Sequence, residues 1–256
     1  MSLFDSPISQ TKIEDELIAR FRAIKNMDFV KSSRIHNTGI GKTFEDLAGI
    51  KENNKAAPDY GHIEIKTYRD NSESCVTLFS KNPDQPKRVN SVLRERFGYK
   101  DVNFNIKVLH VPFFADKYYP IRSGYGFKLI PDDVDERLRI SIQSLQTGQI
   151  DPLEIFFRYE TIRKAVTVKT SHLLLVGATR RQGVNGEEFH FNRMKLLSGA
   201  GYDRFMELLR EGTIQVEIRL GVYGSGKNIG KRHDHGSAFR IYKRDVPSFF
   251  KIVHEE

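Results

Sequence analysis

The chain has no tryptophan and a single cysteine, Cys75, among its 256 residues. One thiol closes no internal disulfide and builds no Cys-rich zinc site, which fits a reducing compartment. No apolar run approaches the length of a bilayer span, and the N-terminus lacks a signal-peptide pattern. The expectation is a soluble, cytoplasmic protein with no membrane partner. Repeats, low-complexity tracts and linker-like stretches are missing too, so the chain reads as one large domain or two closely joined lobes. Acid is short relative to base: 33 Asp and Glu face 41 Lys and Arg, a formal charge of +8 with a pI near 9.4. That balance points to a polyanionic partner, DNA or RNA first, with an ordinary basic surface as the plain alternative.

What is present sorts into helices and strands. Eighteen Phe and ten Tyr supply bulk for a core. After a loose lead-in over residues 1–10, Thr11 and Glu14 make a capping box ahead of the stripe Ile13, Leu17, Phe21 and Ile24. Residues 37–43 read as a polar, Gly-rich loop. It enters a short helix over 43–47 with Glu45 and Asp46 in its first turn, where acids suit the helix dipole. Gly41-Lys42-Thr43 ends like a phosphate-binding loop, but His36 stands where that motif needs its first glycine, and no clear strand precedes it.

Strands are expected over 62–68 and 74–80, separated by a stretch of hairpin length. A basic helix follows over 87–97, carrying Lys87, Arg88, Arg94 and Arg96 as a solvated face or a face toward phosphates. Short alternating pieces at 104–111, 126–130, 137–142 and 153–158 read as further strands. Aromatic residues crowd 112–125, as core or as a wall against a ligand. The near-continuous apolar run 172–178 reads as a buried strand, 187–194 alternates weakly, and 202–210 is an amphipathic helix. Strands over 213–222 and 238–242 are joined by a long basic loop, 223–237, and Pro247 opens a last short helix. The pattern predicts an α/β, mixed α+β domain with a central sheet flanked by helices.

The stretch Pro58-Asp59-Tyr60-Gly61-His62-Ile63-Glu64-Ile65-Lys66 carries the clearest chemistry. Ile63 and Ile65 alternate with Glu64 and Lys66, so a period of two puts the acid and the amine on one strand face. A phosphodiester resists attack because it repels nucleophiles and has a poor leaving group, and a hard divalent cation relieves both difficulties. Mg²⁺ takes oxygen ligands, which Asp59, Glu64 and the backbone carbonyl of Ile65 can supply. Lys66 could orient and help deprotonate the attacking water or steady the phosphorane, and Glu45 is a candidate outer ligand or base. A surface strand with ordinary cross-strand charge pairs is the bland alternative.

A second stretch is basic. From Arg219 to Arg244 there are seven Lys or Arg and one acid, Asp234. Gly221 to Asn228 nearly matches a phosphate-binding loop, but Asn228 replaces the required Ser or Thr, and Gly230 argues against a following helix. His233-Asp234-His235 could be a metal pair, yet no further His or Cys lies at zinc spacing. A better fit to the charge is DNA reading. Glycines let the backbone approach, Arg pairs with guanine, His and Asp reach base edges, and Lys holds phosphates.

Together the two stretches resemble the MvaI/BcnI type of restriction endonuclease, relatives of the mismatch-repair nicking enzyme MutH. The spacing Pro-Asp-x4-Glu-x-Lys is the signature of the PD-(D/E)XK nucleases. The matching residues run from Asn37 to Leu47, then Ala57-Pro58-Asp59, Ile63-Glu64-Ile65-Lys66-Thr67 and Thr77-Leu78-Phe79. The block from His233 to Arg240 completes them, in the order of the family's MvaI branch. The resemblance implies a bilobed, restriction-endonuclease-like core, roughly 1–130 mainly catalytic and 131–256 mainly DNA-reading with strands returning to the core. It implies Asp59, Glu64, Lys66 and Glu45 at the active centre, with Asp59, Glu64 and Ile65 holding Mg²⁺, for which Mn²⁺ would substitute. It implies Glu217, Arg219, Tyr223, Lys227, Lys231, His233, Asp234, His235 and Arg240 on duplex DNA. The activity implied is that of a type II restriction endonuclease cutting a CCWGG-like sequence (W is A or T) to leave 5′-phosphates. It would act as a monomer that nicks each strand in turn, beside a cognate methyltransferase encoded nearby. The family's Asp-x-Arg is here Glu217-Ile218-Arg219, which bears on the sequence recognised. A MutH-like repair nickase and a catalytically silent DNA-binding protein are the alternatives.

Overall fold

Leu17, Phe21 and Ile24 do form a buried stripe, on helix α1 (Pro7–Lys25). The computed structural model describes residues 7–35, 38–51, 57–70, 75–184 and 186–256. The helix begins at Pro7, ahead of the expected capping box at Thr11. Proline suits a first helical turn because its fixed φ is helical and its missing N–H has no partner to lose. Along the chain follow β1 (Val30–Lys31), α2 (Gly39–Leu47), β2 (Ile63–Arg69), β3 (Cys75–Ser80), α3 (Val89–Phe97), β4 (Tyr99–Lys100) and β5 (Lys107–Phe113). Next come β6 (Tyr119–Pro120), β7 (Tyr125–Asp132), β8 (Arg137–Ser144), β9 (Phe156–Arg158), α4 (Tyr159–Thr170), β10 (His172–Gly183) and β11 (Gly186–Gly199). The last are α5 (Gly201–Arg210), β12 (Ile214–Val222), β13 (Arg232–Tyr242), a 3-10 turn at Lys243–Asp245, α6 (Val246–Phe249) and β14 (Phe250–Glu255).

These elements make a mixed α+β fold in two compact units. The first unit comprises Met1–Ser74, Val168–Ala200 and Phe250–Glu256. Its sheet has the order β1-β11-β10-β2, with β14 also on β11. β2 lies parallel to β10, and the other pairs are antiparallel. Leu173 through Ala178 are all buried, as the apolar run predicts for a central strand. Leu174, Val176, Ile63 and Ile65 pack with Leu17, Phe21, Ile24, Ile40 and Phe44 in one apolar cluster beneath α1 and α2.

The second unit comprises Cys75–Thr167 and Gly201–Phe249. It holds the sheet β3-β13-β12-β5-β4 and the smaller sheet β6-β7-β8-β9. Phe79, Phe157, Phe205 and Phe239 meet in its core, with ring centroids 4.7 Å apart for Phe79 and Phe239 and 5.1 Å for Phe157 and Phe239. Part of the aromatic crowd at 112–125 is core: Phe113 is wholly buried and Phe114 nearly so.

Several expectations are corrected. The segment from Gly39 is helix and not loop. A side chain at Gly39 would put its Cβ 2.3 Å from the Arg34 carbonyl, so this glycine serves close packing instead of a flexible turn. His36 and Asn37 lie outside the described residues. Because α2 starts early, Glu45 and Asp46 fall in its last turn, and Lys42 compensates Asp46 at 2.5 Å. β2 and β3 are not a hairpin, although residues 71–74 between them lie outside the described residues. β2 is buried on both faces at Ile63, Glu64 and Ile65 and takes the apolar β10 as its neighbour, while β3 joins β13. The basic helix α3 does not present all its charge to solvent or phosphate: Arg94 is 1% exposed and ion-paired with Asp234. Finally β13 starts at Arg232, so the basic loop ends near residue 231 and both histidines lie on a strand.

Candidate active site

The first unit brings the predicted catalytic groups together at the start of β2. Tyr60 and Ile63 close a tight turn through mutual backbone bonds of 3.0 and 2.8 Å, and Gly61 supplies its positive φ of 58°. The turn aims Asp59 back along the strand, where its Oδ2 accepts the Ile65 N–H at 2.9 Å. Glu64, 5% exposed, faces away from the α1 side by strand alternation. Burying a carboxylate demands compensation. Lys66 Nζ donates to Glu64 Oε1 at 2.5 Å, and Lys169 Nζ donates to Glu64 Oε2 at 3.0 Å.

The Lys66 ammonium also lies 3.2 Å from the Ile65 carbonyl and 4.0 Å from Asp59 Oδ2. Oxygens of Asp59, Glu64 and Ile65, the three predicted metal ligands, therefore converge on one positive charge. All three are hard donors, so the set fits Mg²⁺ or Mn²⁺ in charge and in chemistry. Glu45, half-buried, lies on α2, which packs against β2 through the close approach of Gly41 to Thr67.

Lys169 was not foreseen. It ends α4, an element with no strong sequence signal, and also donates to the Ala57 carbonyl at 2.5 Å. It fixes the segment before Asp59 and the free side of Glu64 with one side chain. Only a lysine near the start of the buried 172–178 run hinted at it.

The predicted DNA-reading residues gather in the second unit on the β12–β13 ribbon and its loop. A bulge between Arg219 and Leu220 accompanies Gly236, whose φ is +68° and whose would-be Cβ meets Asn82 Oδ1 at 2.5 Å. Arg240 ion-pairs with Glu217 and donates to the Cys75 carbonyl at 3.1 Å. Arg219 donates to Ser80 Oγ at 3.3 Å and to the His235 carbonyl at 3.4 Å. Tyr223 stacks on His233 at 3.9 Å between ring centroids, and His233 meets His235 at 4.1 Å. Lys227 is exposed at the loop tip, while Lys231 reaches Asn228 at 3.4 Å. Asp234 is held by buried Arg94.

His110 on β5 joins this group. It pairs in register with Arg219, and its Nε2 lies 3.3 Å from where a Cβ on Gly221 would sit. Burial pushes its pKa below the ordinary imidazole value. Burial does the same to His235, with His233, Arg219 and His110 adding repulsion. The shift favours the neutral form, in which each ring offers one donor and one acceptor.

A family profile described as the MvaI/BcnI restriction endonuclease family matches residues 18–250. A solved structure titled as a complex of restriction endonuclease MvaI with cognate DNA is 29% identical to this chain. It superposes with a TM-score of 0.87, covering 94% of this chain and 98% of the other. The structure titled as MvaI in the absence of DNA is 28% identical and matches with a TM-score of 0.57 over 98% and 97% of the two chains. Among curated proteins no sequence matches. No helix among the described residues is long and apolar enough to cross a membrane.

Proposed function

The chain belongs to the MvaI/BcnI restriction endonuclease family and is a type II site-specific deoxyribonuclease, and on that premise we propose how it works. Asp59, Glu64, Lys66 and Lys169 form its hydrolytic centre. The observation that carries the reading is the convergence of Asp59, Glu64 and Ile65 oxygens on the Lys66 ammonium. A hard divalent cation, Mg²⁺ with Mn²⁺ as substitute, would be held by these oxygens and would supply phosphate neutralisation and a more acidic water.

The remaining work belongs to the chain. Asp59 is fixed by the Ile65 N–H, so its carboxylate is set before substrate arrives. Lys169 holds Glu64 from the far side, which leaves Lys66 free to swing from the carboxylate toward the scissile phosphate. There its ammonium orients the attacking water and stabilises charge building on the phosphate oxygens. Water forms the new P–O bond, the P–O3′ bond breaks, and the products are a 5′-phosphate and a 3′-hydroxyl. Glu45 serves as an outer ligand or base.

Duplex DNA is the substrate in this reading, as the match to an MvaI–cognate DNA complex supports. The target is a CCWGG-like sequence read by Glu217, Arg219, Tyr223, His233, Asp234, His235 and Arg240, with Lys227 and Lys231 on phosphates. One centre per chain implies a monomer that nicks one strand and then the other. Digesting a plasmid of known sequence with the pure protein and Mg²⁺, then sequencing the ends, tests this. Discrete fragments ending at CCWGG-like sites support it. Random ends, or cutting only when partner proteins are added, would remove it.

A further inference from the structure

On the other face of the same strand pair, Glu14, His62 and His172 bring one ligand atom each within 4.8 Å of one another. His172 pairs in register with Ile63 and so shares the α1-facing side of the sheet, opposite Glu64 and Lys66. His62 reaches that side because the Gly61 turn precedes the strand and frees it from strict alternation. Glu14 comes from α1. Both imidazole Nε2 atoms aim at the same oxygen, Glu14 Oε1, from 3.4 and 4.0 Å. The rings meet edge to face, with centroids 4.6 Å apart.

These separations are long for charge-assisted hydrogen bonds, which run at about 2.7–2.9 Å. They are close to the spacing of ligands around a shared ion: bonds of about 2.0–2.1 Å in a tetrahedron place ligand atoms roughly 3.3 Å apart. The three side chains are only 19–26% exposed, which leaves a limited opening for a fourth ligand such as water. Two imidazoles and one carboxylate differ from the all-oxygen set at Asp59 and Glu64. Imidazole selects zinc, nickel, cobalt and similar ions over magnesium.

We propose that Glu14, His62 and His172 form a binding site for a transition-metal ion of the zinc class, separate from the hydrolytic centre. The ion would tie α1 to the turn before β2 and to the first residue of β10. It would also hold the turn between Asp59 and Glu64, two residues from the buried carboxylate.

Cobalt uptake by the full chain, after treatment with a chelator, tests the site. The wild-type protein should take up Co²⁺ with visible ligand-field absorption, which Zn²⁺ should displace. Glu14→Gln and His172→Ala should weaken Co²⁺ binding about tenfold or more. His235→Ala should leave it unchanged. Glu14→Gln preserves shape and decides the matter if His172→Ala fails to fold. The proposal is overturned if the wild type shows no such absorption, or if Glu14→Gln binds as tightly as wild type. Loss of binding in His235→Ala overturns it too, since that would assign the ion to the His233–His235 pair.

Discussion

Lys169 donates to Glu64 Oε2 at 3.0 Å across 105 residues of sequence. The bond joins the end of α4 to the only carboxylate that is buried at the start of β2 among the described residues. Because Lys66 occupies the other oxygen, Glu64 carries no unpaired charge, and Lys169 acts as a positioning residue for it. Replacing Lys169 with Met keeps the aliphatic stem and removes the charge. Single-turnover cleavage at saturating Mg²⁺ should slow about 10- to 100-fold with DNA affinity retained, as when an outer partner of a metal ligand is lost. An unchanged rate would remove Lys169 from the centre.

Arg94 and Asp234 predict a stability effect in a residue proposed to read DNA. Arg94 is 1% exposed, so removing its partner strands a buried charge. Asp234→Asn should lower stability by about 3–5 kcal/mol in urea unfolding, and Arg94→Ala by a similar amount. A weak DNA-binding result for Asp234→Asn has meaning only beside that measurement.

Arg219 and Arg240 should separate from Lys227 in binding assays. Each arginine changed to Ala should cost about 1–3 kcal/mol on the cognate site and little on random DNA. Lys227→Ala should weaken all sequences alike and reduce the salt slope by about one. Equal losses on both DNAs for the arginine variants would take them out of base reading.

His110 predicts a pH effect. Its folded pKa lies below the ordinary value of 6.5, with burial as the largest cause. The unfolded chain binds the proton more readily, so His110 favours the fold above pH 6.5 and progressively less as pH falls below it. Glu217 and Asp101 oppose the shift, and Arg219 and Arg94 add to it. His110→Gln should lose less melting temperature than wild type between pH 7 and pH 5. Parallel curves would contradict the lowered pKa of His110.

The geometry at Asp59, Glu64 and Lys66 was legible because it is local. A turn and a period of two put the acid and the amine on one face whatever the strand pairs with. The partner of β2 was not legible, since β10 lies far along the chain and a short gap before β3 reads equally well as a hairpin. Lys169 and Arg94 were missed for the same reason: their roles come from partners distant in sequence, Glu64 and Asp234. The Gly39 helix misled because glycines chosen for close packing look like loop glycines. Within the β12–β13 ribbon the residue types were readable, but the bulge at Arg219, which sets the faces, was not.

Asp59, Glu64 and Lys66 are proposed to perform the hydrolysis. The direct measurement is the cleavage rate of plasmid DNA in Mg²⁺ by Asp59→Ala and Lys66→Ala proteins that are folded and still bind the cognate duplex. Both rates should fall by at least about a thousandfold. Cleavage at the wild-type rate by either variant would place the hydrolysis on other residues.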